Sequence, residues 1–299
     1  ALCLLIGIIS LMSRSNPFRF FLSRLTEDYL LLALVVGLVP LTVALAAVVP
    51  VPLGRLVIFQ ALAVNVGSAL TPIGNPQNLF LWQTRGIGFG EFMAAMLPLV
   101  GLLTLVLLLA TVLAFPARPV VVRPAQRPVN RRLLWVSCLL YPGFIVAAEL
   151  GAVVVAALAI MLLYGLLFRA VLRGVDWLLL LVFMLMFVDL GLLAGLPQTD
   201  ALVAWLLALP GGVMTASVVV SQFISNVPAT ILLASFADDW QALAWGVSVG
   251  GFGLAIGSLA NLIALRLARV EGLWREFHLW SLPALVLALG VAALAHYVV

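Results

Sequence analysis

The chain has 299 residues, of which 65% are hydrophobic and 9% charged, with a formal net charge of +4 and a mean hydropathy of +1.28. A soluble domain carries about 25% charged residues, so this chain lacks the polar surface to face water all round and reads as a polytopic membrane protein. All fifteen basic residues are Arg, which excludes a Gly-Lys-Ser/Thr phosphate loop and a Schiff-base lysine. Cys3, Cys138, His278 and His296 are far apart, so neither a zinc cluster nor a disulfide framework is visible, and Arg residues spread over short loops are no nucleic-acid signature.

The chain opens at Ala1 inside an apolar run with no basic segment before it. No signal peptide is read there, and an incomplete N-terminus is expected. Apolar spans follow at roughly 1–12, 27–50, 56–82, 92–115, 133–148, 150–168, 177–196, 200–236, 241–265 and 279–299. A helical crossing needs about 20 apolar residues, so 1–12 is too short and 200–236 too long for one crossing. Arg14, Arg19 and Arg24 form one basic group. Arg118, Arg123, Arg127, Arg131 and Arg132 lie in a Pro-rich stretch at 116–132; Arg169 with Arg173, and Arg266 with Arg269 and Arg275, form two more. The positive-inside rule places all four groups in the cytoplasm.

Counting crossings between these groups requires 27–50 to be a hairpin open to the inside, and 200–236 to enter and leave on the outer side. Each half then reads as hairpin, polar-interrupted span and final helix, with the second half inverted, a transporter pattern. The expected fold is an all-α membrane protein, an inverted repeat of transmembrane helices with two re-entrant hairpins and two discontinuous helices. Its parts are a first repeat at 1–115 with a shortened first hairpin, a cytoplasmic linker at 116–132 and a second repeat at 133–299. Weak local likeness supports the repeat: Val39-Pro40-Leu41-Thr42 against Val227-Pro228-Ala229-Thr230, and Gly67-Ser68 against Gly257-Ser258.

Residues 68–78, SALTPIGNPQN, interrupt the 56–82 span with eight polar or helix-breaking residues in eleven. Pro72 and Pro76 lack N–H groups and clash with the preceding turn. The helix is expected to open near 71–77, which hydrocarbon tolerates only where the freed groups line a protein cavity. Ser68, Thr71, Gly74, Asn75, Gln77 and Asn78 gather there. Half-helix N-termini favour anions, and unwound carbonyls coordinate Na⁺. The plain structural alternative is a proline kink satisfied by neighbouring helices; the density of unusual residues favours a binding site. Ser225-Asn226-Val227-Pro228 presents side-chain oxygens at a hairpin tip, with Thr230 one turn on; its alternative is an ordinary interhelical turn. Gly257, Ser258 and Asn261 form a third break, after Gly246, Gly250, Gly251 and Gly253. There, GxxxG spacing is equally consistent with close helix packing alone. Asp189 lies mid-span, and a buried membrane carboxylate is a candidate proton site. Arg55 and Arg85 flank the first broken helix and read as interfacial anchors.

With these residues in place, the chain resembles the ion transporter superfamily, which includes divalent-anion/sodium symporters, citrate transporters, arsenite permeases and NhaD-type antiporters. Within it the likeness is greatest to YbiR-type anion transporters. Ser68–Asn78 matches that branch, and Ser225–Ala229 and Gly257–Asn261 agree in order and spacing over the whole chain. The resemblance implies two re-entrant hairpins and two discontinuous helices meeting at mid-membrane, a mobile transport part beside a scaffold, and commonly a dimer. The chain departs from the pattern in its first hairpin, where Gly37-Leu38 stands in place of an Asn-containing tip; either the tip is absent by nature or, as expected here, about a dozen residues are missing near 38–42.

The expected function is secondary active transport of a small anion, coupled to Na⁺ or H⁺, by alternating access. Thr71, Asn75, Asn78 and the first break would form one half of the site, and Ser225, Asn226, Thr230, Ser258 and Asn261 the other. Na⁺ would bind near Asn75 and Asn226. The alternatives are an NhaD-type cation/proton antiporter titrating at Asp189 and an arsenite-type efflux permease. No His/Asp/Glu/Cys constellation supports an enzyme. The expected setting is a homodimer in the bacterial inner membrane, with no cofactor beyond a coupling ion.

Overall fold

The computed structural model describes residues 52–115, 130–173, 181, 185, 188–190 and 192–298. The expected first hairpin at 27–50, the 1–12 span and the linker at 116–129 lie outside them. Among the described residues every regular element is helical. In chain order these are α1 (Leu53–Ser68), α2 (Pro76–Arg85), α3 (Phe89–Ala114), α4 (Arg131–Glu149), α5 (Val153–Leu167), the short α6 (Arg169–Arg173), α7 (Pro197–Leu207), α8 (Gly212–Ile224), α9 (Asn226–Ala234), α10 (Trp240–Val249), a 3₁₀ turn at Ala255–Gly257, α11 (Leu259–Ala268) and α12 (Leu273–Val298). The segments Phe89–Ala114, Arg131–Glu149 and Leu273–His296 are long and apolar enough to cross a membrane.

The chain divides into two compact units. One holds 130–173 and 181; in it α4 packs on α5, and the Ser137 and Tyr164 hydroxyls share a 2.7 Å hydrogen bond. The other holds 52–115 and the described residues from 185 to 298, and carries all three polar breaks.

In this second unit local chemistry sets where each helix starts. Asn75 caps α2 by accepting from the Asn78 N–H at 2.8 Å, and Pro76 follows at the first helical position, where its missing N–H costs nothing. Asp239 caps α10 through the Ala242 N–H at 2.9 Å. Ser258 caps α11 through the Ala260 N–H at 3.3 Å. The expected 56–82 span is thus two helices, α1 and α2, and the 241–265 span is also two, α10 and α11. In each case the pair precedes a helix of 26 residues.

The 200–236 segment differs from the two-armed hairpin expected over its whole length. It holds the end of α7, then α8 and α9, and only α8 and α9 pack as arms about Ser225. Pro210-Gly211-Gly212 ends one helix and starts another: Gly211 and Gly212 sit at φ +88° and +53°, which removes them from right-handed helix.

α8 packs against α9 and α10, α1 against α3, α11 and α12, and α2 against α9 and α10. Trp245, Phe92, Ile58, Leu62, Leu243 and Phe277 are fully buried between them. Along α3, by contrast, Leu105, Leu108, Val112 and Leu113 are exposed, the surface expected of a helix against lipid tails.

Arg55 and Arg85 do more than anchor an interface. Arg55 donates to the Ala114 carbonyl at the end of α3 (2.9 Å), approaches Glu276 at 3.4 Å and lies over the Trp280 ring. Arg85, in the last turn of α2, donates to the Ala234 carbonyl at the end of α9 (2.7 Å) and to the Ala237 carbonyl. A cation at a helix C-terminus meets the negative end of the dipole and the unpaired carbonyls there. Arg85→Met should therefore lower stability by about 1.5–3 kcal/mol, the range for a hydrogen bond to a charged group. Thermal unfolding of the purified variant measures this; an unchanged midpoint would reduce Arg85 to a surface residue.

Candidate functional site

The first break runs from Ala69 to Asn75. Its centre is Asn78, fully buried in the first turn of α2. The Asn78 Nδ2 group donates to the carbonyls of Ala69 (2.9 Å), Thr71 (3.1 Å) and Ser68 (3.5 Å). One side chain thus serves the backbone opened at Pro72, where the Thr71 carbonyl also accepts the Gly74 N–H at 3.1 Å. Gly74 has to be glycine, because a Cβ there would collide with the Ser68 carbonyl. Asn75 Nδ2 reaches Ser68 Oγ at 3.4 Å, and Ser68 Oγ in turn donates to the Asn65 carbonyl at 3.3 Å.

The second break, 250–258, is satisfied from outside itself. Gln222 of α8 donates through Nε2 to the carbonyls of Gly250 (2.9 Å) and Phe252 (3.1 Å) and accepts the Leu254 N–H at 2.8 Å. Ser281 of α12 accepts the Gly253 N–H at 2.8 Å. His278, whose Nδ1 lies 2.6 Å from the Trp274 carbonyl, receives the Ala255 N–H on Nε2 at 3.3 Å. Gly257, buried in the 3₁₀ turn, leaves no room for a Cβ beside the Gly250 carbonyl.

Asn65 joins the two breaks. It sits in α1, buried, and its Nδ2 donates to the Gly251 carbonyl (3.0 Å) and to Asn261 Oδ1 (2.9 Å). Its Oδ1 accepts from Ser258 Oγ at 2.9 Å. Asn261 Nδ2 adds a second donor to Gly251 at 2.8 Å. A hydrogen-bonded chain therefore runs from Asn78 through Asn75, Ser68 and Asn65 to Ser258, Asn261 and Gly251.

The tip between α8 and α9 meets this chain at Gly251, where a Cβ would lie 3.5 Å from Asn226 Nδ2 and 3.4 Å from Asn65 Cγ. Ser225 turns the tip at φ +73°, ψ +156°, a conformation close to glycine-only that costs about 1–3 kcal/mol. Ser225 does not cap α9, so the first N–H groups of that helix have no side-chain acceptor; Ser225 Oγ contacts Asn226 Oδ1 at 3.5 Å. Thr230 uses its hydroxyl on the Asn226 carbonyl at 2.7 Å. Val227 packs with Leu190, Ile231 and Phe80 and belongs to an apolar cluster. Asp189, the candidate proton site, is exposed beside that cluster and is not joined to the polar chain. The Gly246/Gly250 pair serves close packing: a Cβ on Gly246 would meet Ser217 Cβ at 2.6 Å, and one on Gly250 would meet Ser221 Oγ at 2.6 Å.

The structure thus joins Ser68, Asn75 and Asn78 to Ser258 and Asn261, with the Asn226 tip against them. Sequence reasoning missed the residues that make the join, Asn65 and Gln222. The signal for Asn65 was a single amide in an apolar run, three residues before Ser68 and so on the same helix face. For Gln222 it was a lone amide one turn before the Ser225 tip.

Removing the Asn65 amide takes the donor from Asn261 Oδ1 and the acceptor from the Ser258 hydroxyl hydrogen in a buried place, at about 1–3 kcal/mol for each unsatisfied group. Asn65→Ala should lower the unfolding midpoint by several degrees. A double-mutant cycle with Ser258→Ala should give a coupling of about 0.5–3 kcal/mol; strictly additive midpoints would dissolve the link.

Residues 2–250 match the citrate transporter family. The chain is 47% identical over 263 residues to the inner membrane protein YbiR of Escherichia coli strain K12, covering 84% of this chain and 68% of that one. It is 33% identical over 256 residues to a Methanocaldococcus jannaschii protein named an uncharacterized transporter, covering 83% and 68%. A 46 kDa membrane protein of Mycobacterium leprae is 29% identical over 277 residues, covering 79% of this chain and 64% of the relative. A match over most of the chain makes this chain a member of the citrate transporter family, a membrane transporter and not an enzyme.

Proposed function

We propose that the protein is a secondary active transporter of a small organic or inorganic anion, coupled to Na⁺ or H⁺ and working by alternating access. The observation that carries this reading is the Asn226 tip. The uncapped N-terminus of α9 and the Asn226 amide lie against the second break, inside a core whose buried polar residues, among those described, are all uncharged. N–H groups at a helix start attract an anion through hydrogen bonds and through the positive end of the dipole. A neutral surround does not hold it too tightly to release.

The two series α1–α2–α3 and α10–α11–α12 have the same order, a broken pair and then a 26-residue helix. This supports the inverted repeat, with α8 and α9 as the arms of one re-entrant hairpin. The Arg groups support a cytoplasmic 116–132 linker in this reading. The inner-membrane name of the Escherichia coli relative supports the same membrane here, and a homodimer belongs to this reading.

Uptake into proteoliposomes, with and without a Na⁺ or pH gradient, tests the proposal against dicarboxylates, citrate, arsenite, phosphate and sulfate. Gradient-driven uptake of one anion class is expected; no uptake of any anion under either gradient would sink it. Asn226→Ala should abolish that uptake with little effect on the unfolding midpoint. Asn75→Ala should also abolish it. As the α2 cap it should in addition cost about 0.5–2 kcal/mol of stability.

The competing antiporter reading places proton exchange on Asp189. Its exposure beside the Val227 cluster, away from the polar chain, speaks against that role. Asp189→Asn should insert normally and keep most of the flux. A variant that inserts but carries nothing at any pH would return the charge to the centre of the mechanism.

A further inference from the structure

We propose that neither helix break holds a coupling cation, because side-chain amides already occupy the positions a cation would take. The inference deepens the transporter reading by locating the coupling ion away from the unwound carbonyls, where resemblance and sequence alone would put Na⁺.

The first break offers a cradle of three carbonyls, Ser68, Ala69 and Thr71, all aimed at one point. The group at that point is Asn78 Nδ2, at 3.5, 2.9 and 3.1 Å. Carbonyls only accept, so the nitrogen and not the oxygen of the amide has to face them. Asn78 Oδ1 is left buried with no hydrogen-bond partner among the described residues. Accepting that orphan is the cost of keeping the donor at the cradle, since a buried unpaired acceptor is itself unfavourable.

The second break repeats the arrangement with different residues. Gln222 Nε2 takes the Gly250 and Phe252 carbonyls. Asn65 Nδ2 and Asn261 Nδ2 together take both lone pairs of the Gly251 carbonyl. All six carbonyls of the two breaks named here face amide hydrogens. Those hydrogens carry the partial positive charge a bound cation would supply, and they would repel one. A cation could enter the first cradle only if Asn78 turned its amide over and put Oδ1 among the carbonyls, so the donor set present does not fit Na⁺.

Thermal unfolding of the purified full chain tests this, with choline replaced by Na⁺ at constant ionic strength. A ligand that binds only the folded state raises the midpoint. The expected result is no rise for the wild type, or a rise that survives both Asn78→Ala and Gln222→Ala and so belongs elsewhere. A Na⁺-dependent rise that disappears in either variant would overturn the inference, because it would place the cation in that break. Asn78→Ser, which keeps a small polar group but no amide, replaces Asn78→Ala if the latter does not fold. As a positive signature, Asn78→Asp puts a carboxylate oxygen at the cradle. It should melt several degrees lower in choline and recover with Na⁺; an Asn78→Asp midpoint indifferent to both would also count against the cradle as described. None of these measurements involves transport. If no anion is carried, the transporter reading fails while this inference is still decided by the melts, and the reverse also holds.

Discussion

A carbonyl released from a helix within hydrocarbon has no water to turn to, and each one left unpaired costs several kcal/mol. The core of this protein is organised around that constraint. One helix opens at Pro72, Gly74 and Pro76 and another over the glycine-rich, proline-free stretch 250–258, and each opening is closed by amide side chains with two donor hydrogens to spend. Asparagine and glutamine suit this task because they carry no charge to desolvate. A lysine or arginine at the same place would add a full charge to the membrane centre, at about 2.5–3.5 kcal/mol on insertion scales. No charged residue is among the buried polar ones described.

Charge is instead kept to the helix ends. Arg55 and Arg85 reach back-to-front across the unit to terminate α3 and α9, and Asp239 starts α10. The result is a gradation from apolar outer surface, through charged ends, to a neutral polar centre. The tight approach of α10 to α8 makes the centre possible. Ser217 and Ser221 return their hydroxyls to their own helix at 2.6 and 2.7 Å and present only small side chains to Gly246 and Gly250. With larger residues at this seam, Gln222 would stand too far from the second break to close it.

Much of this was legible in the sequence, and for identifiable reasons. The first break was visible because Pro72, Gly74 and Pro76 violate helix chemistry inside an apolar span. The α8–α9 tip was visible because a Ser-Asn-Val-Pro run does the same. What stayed hidden was long-range pairing. Asn65 looks like an isolated polar residue in a good helix, and nothing local says that its partners are Gly251, Ser258 and Asn261, almost two hundred positions away. For the same reason the bonds of Ser258 and Asn261 to Asn65 and Gly251 were not visible in their own motif. Pro210-Gly211-Gly212 misled about the extent of the hairpin, because a Pro-Gly pair marks a helix end without saying which neighbour the next helix will choose. Asp189 attracted a functional reading from its apolar neighbours. Of those neighbours Leu190 packs on α9, while Asp189 itself is exposed, a difference of one residue around a helix.

The division between closed breaks and an open tip also bears on how such a core can bind and release. The N-termini of α2 and α11 are capped by Asn75 and Ser258, so their dipoles point toward the centre with their donors already partly engaged. The N-terminus of α9 is not capped, and the residue preceding it is held at strained positive φ. A helix start contributes about half an elementary charge, enough to favour an anion and too little to trap one. A guanidinium would bind more tightly, but a transporter gains nothing from a ligand that does not leave. Under the transport reading, the rigid amide-closed frame fixes where the anion sits, and the strained, uncapped tip is the part with free energy available to respond to it. Under that reading, binding at the tip supplies the acceptor that no side chain provides at the start of α9, which couples occupancy of the site to the conformation of the α8–α9 turn without any charged side chain entering the membrane.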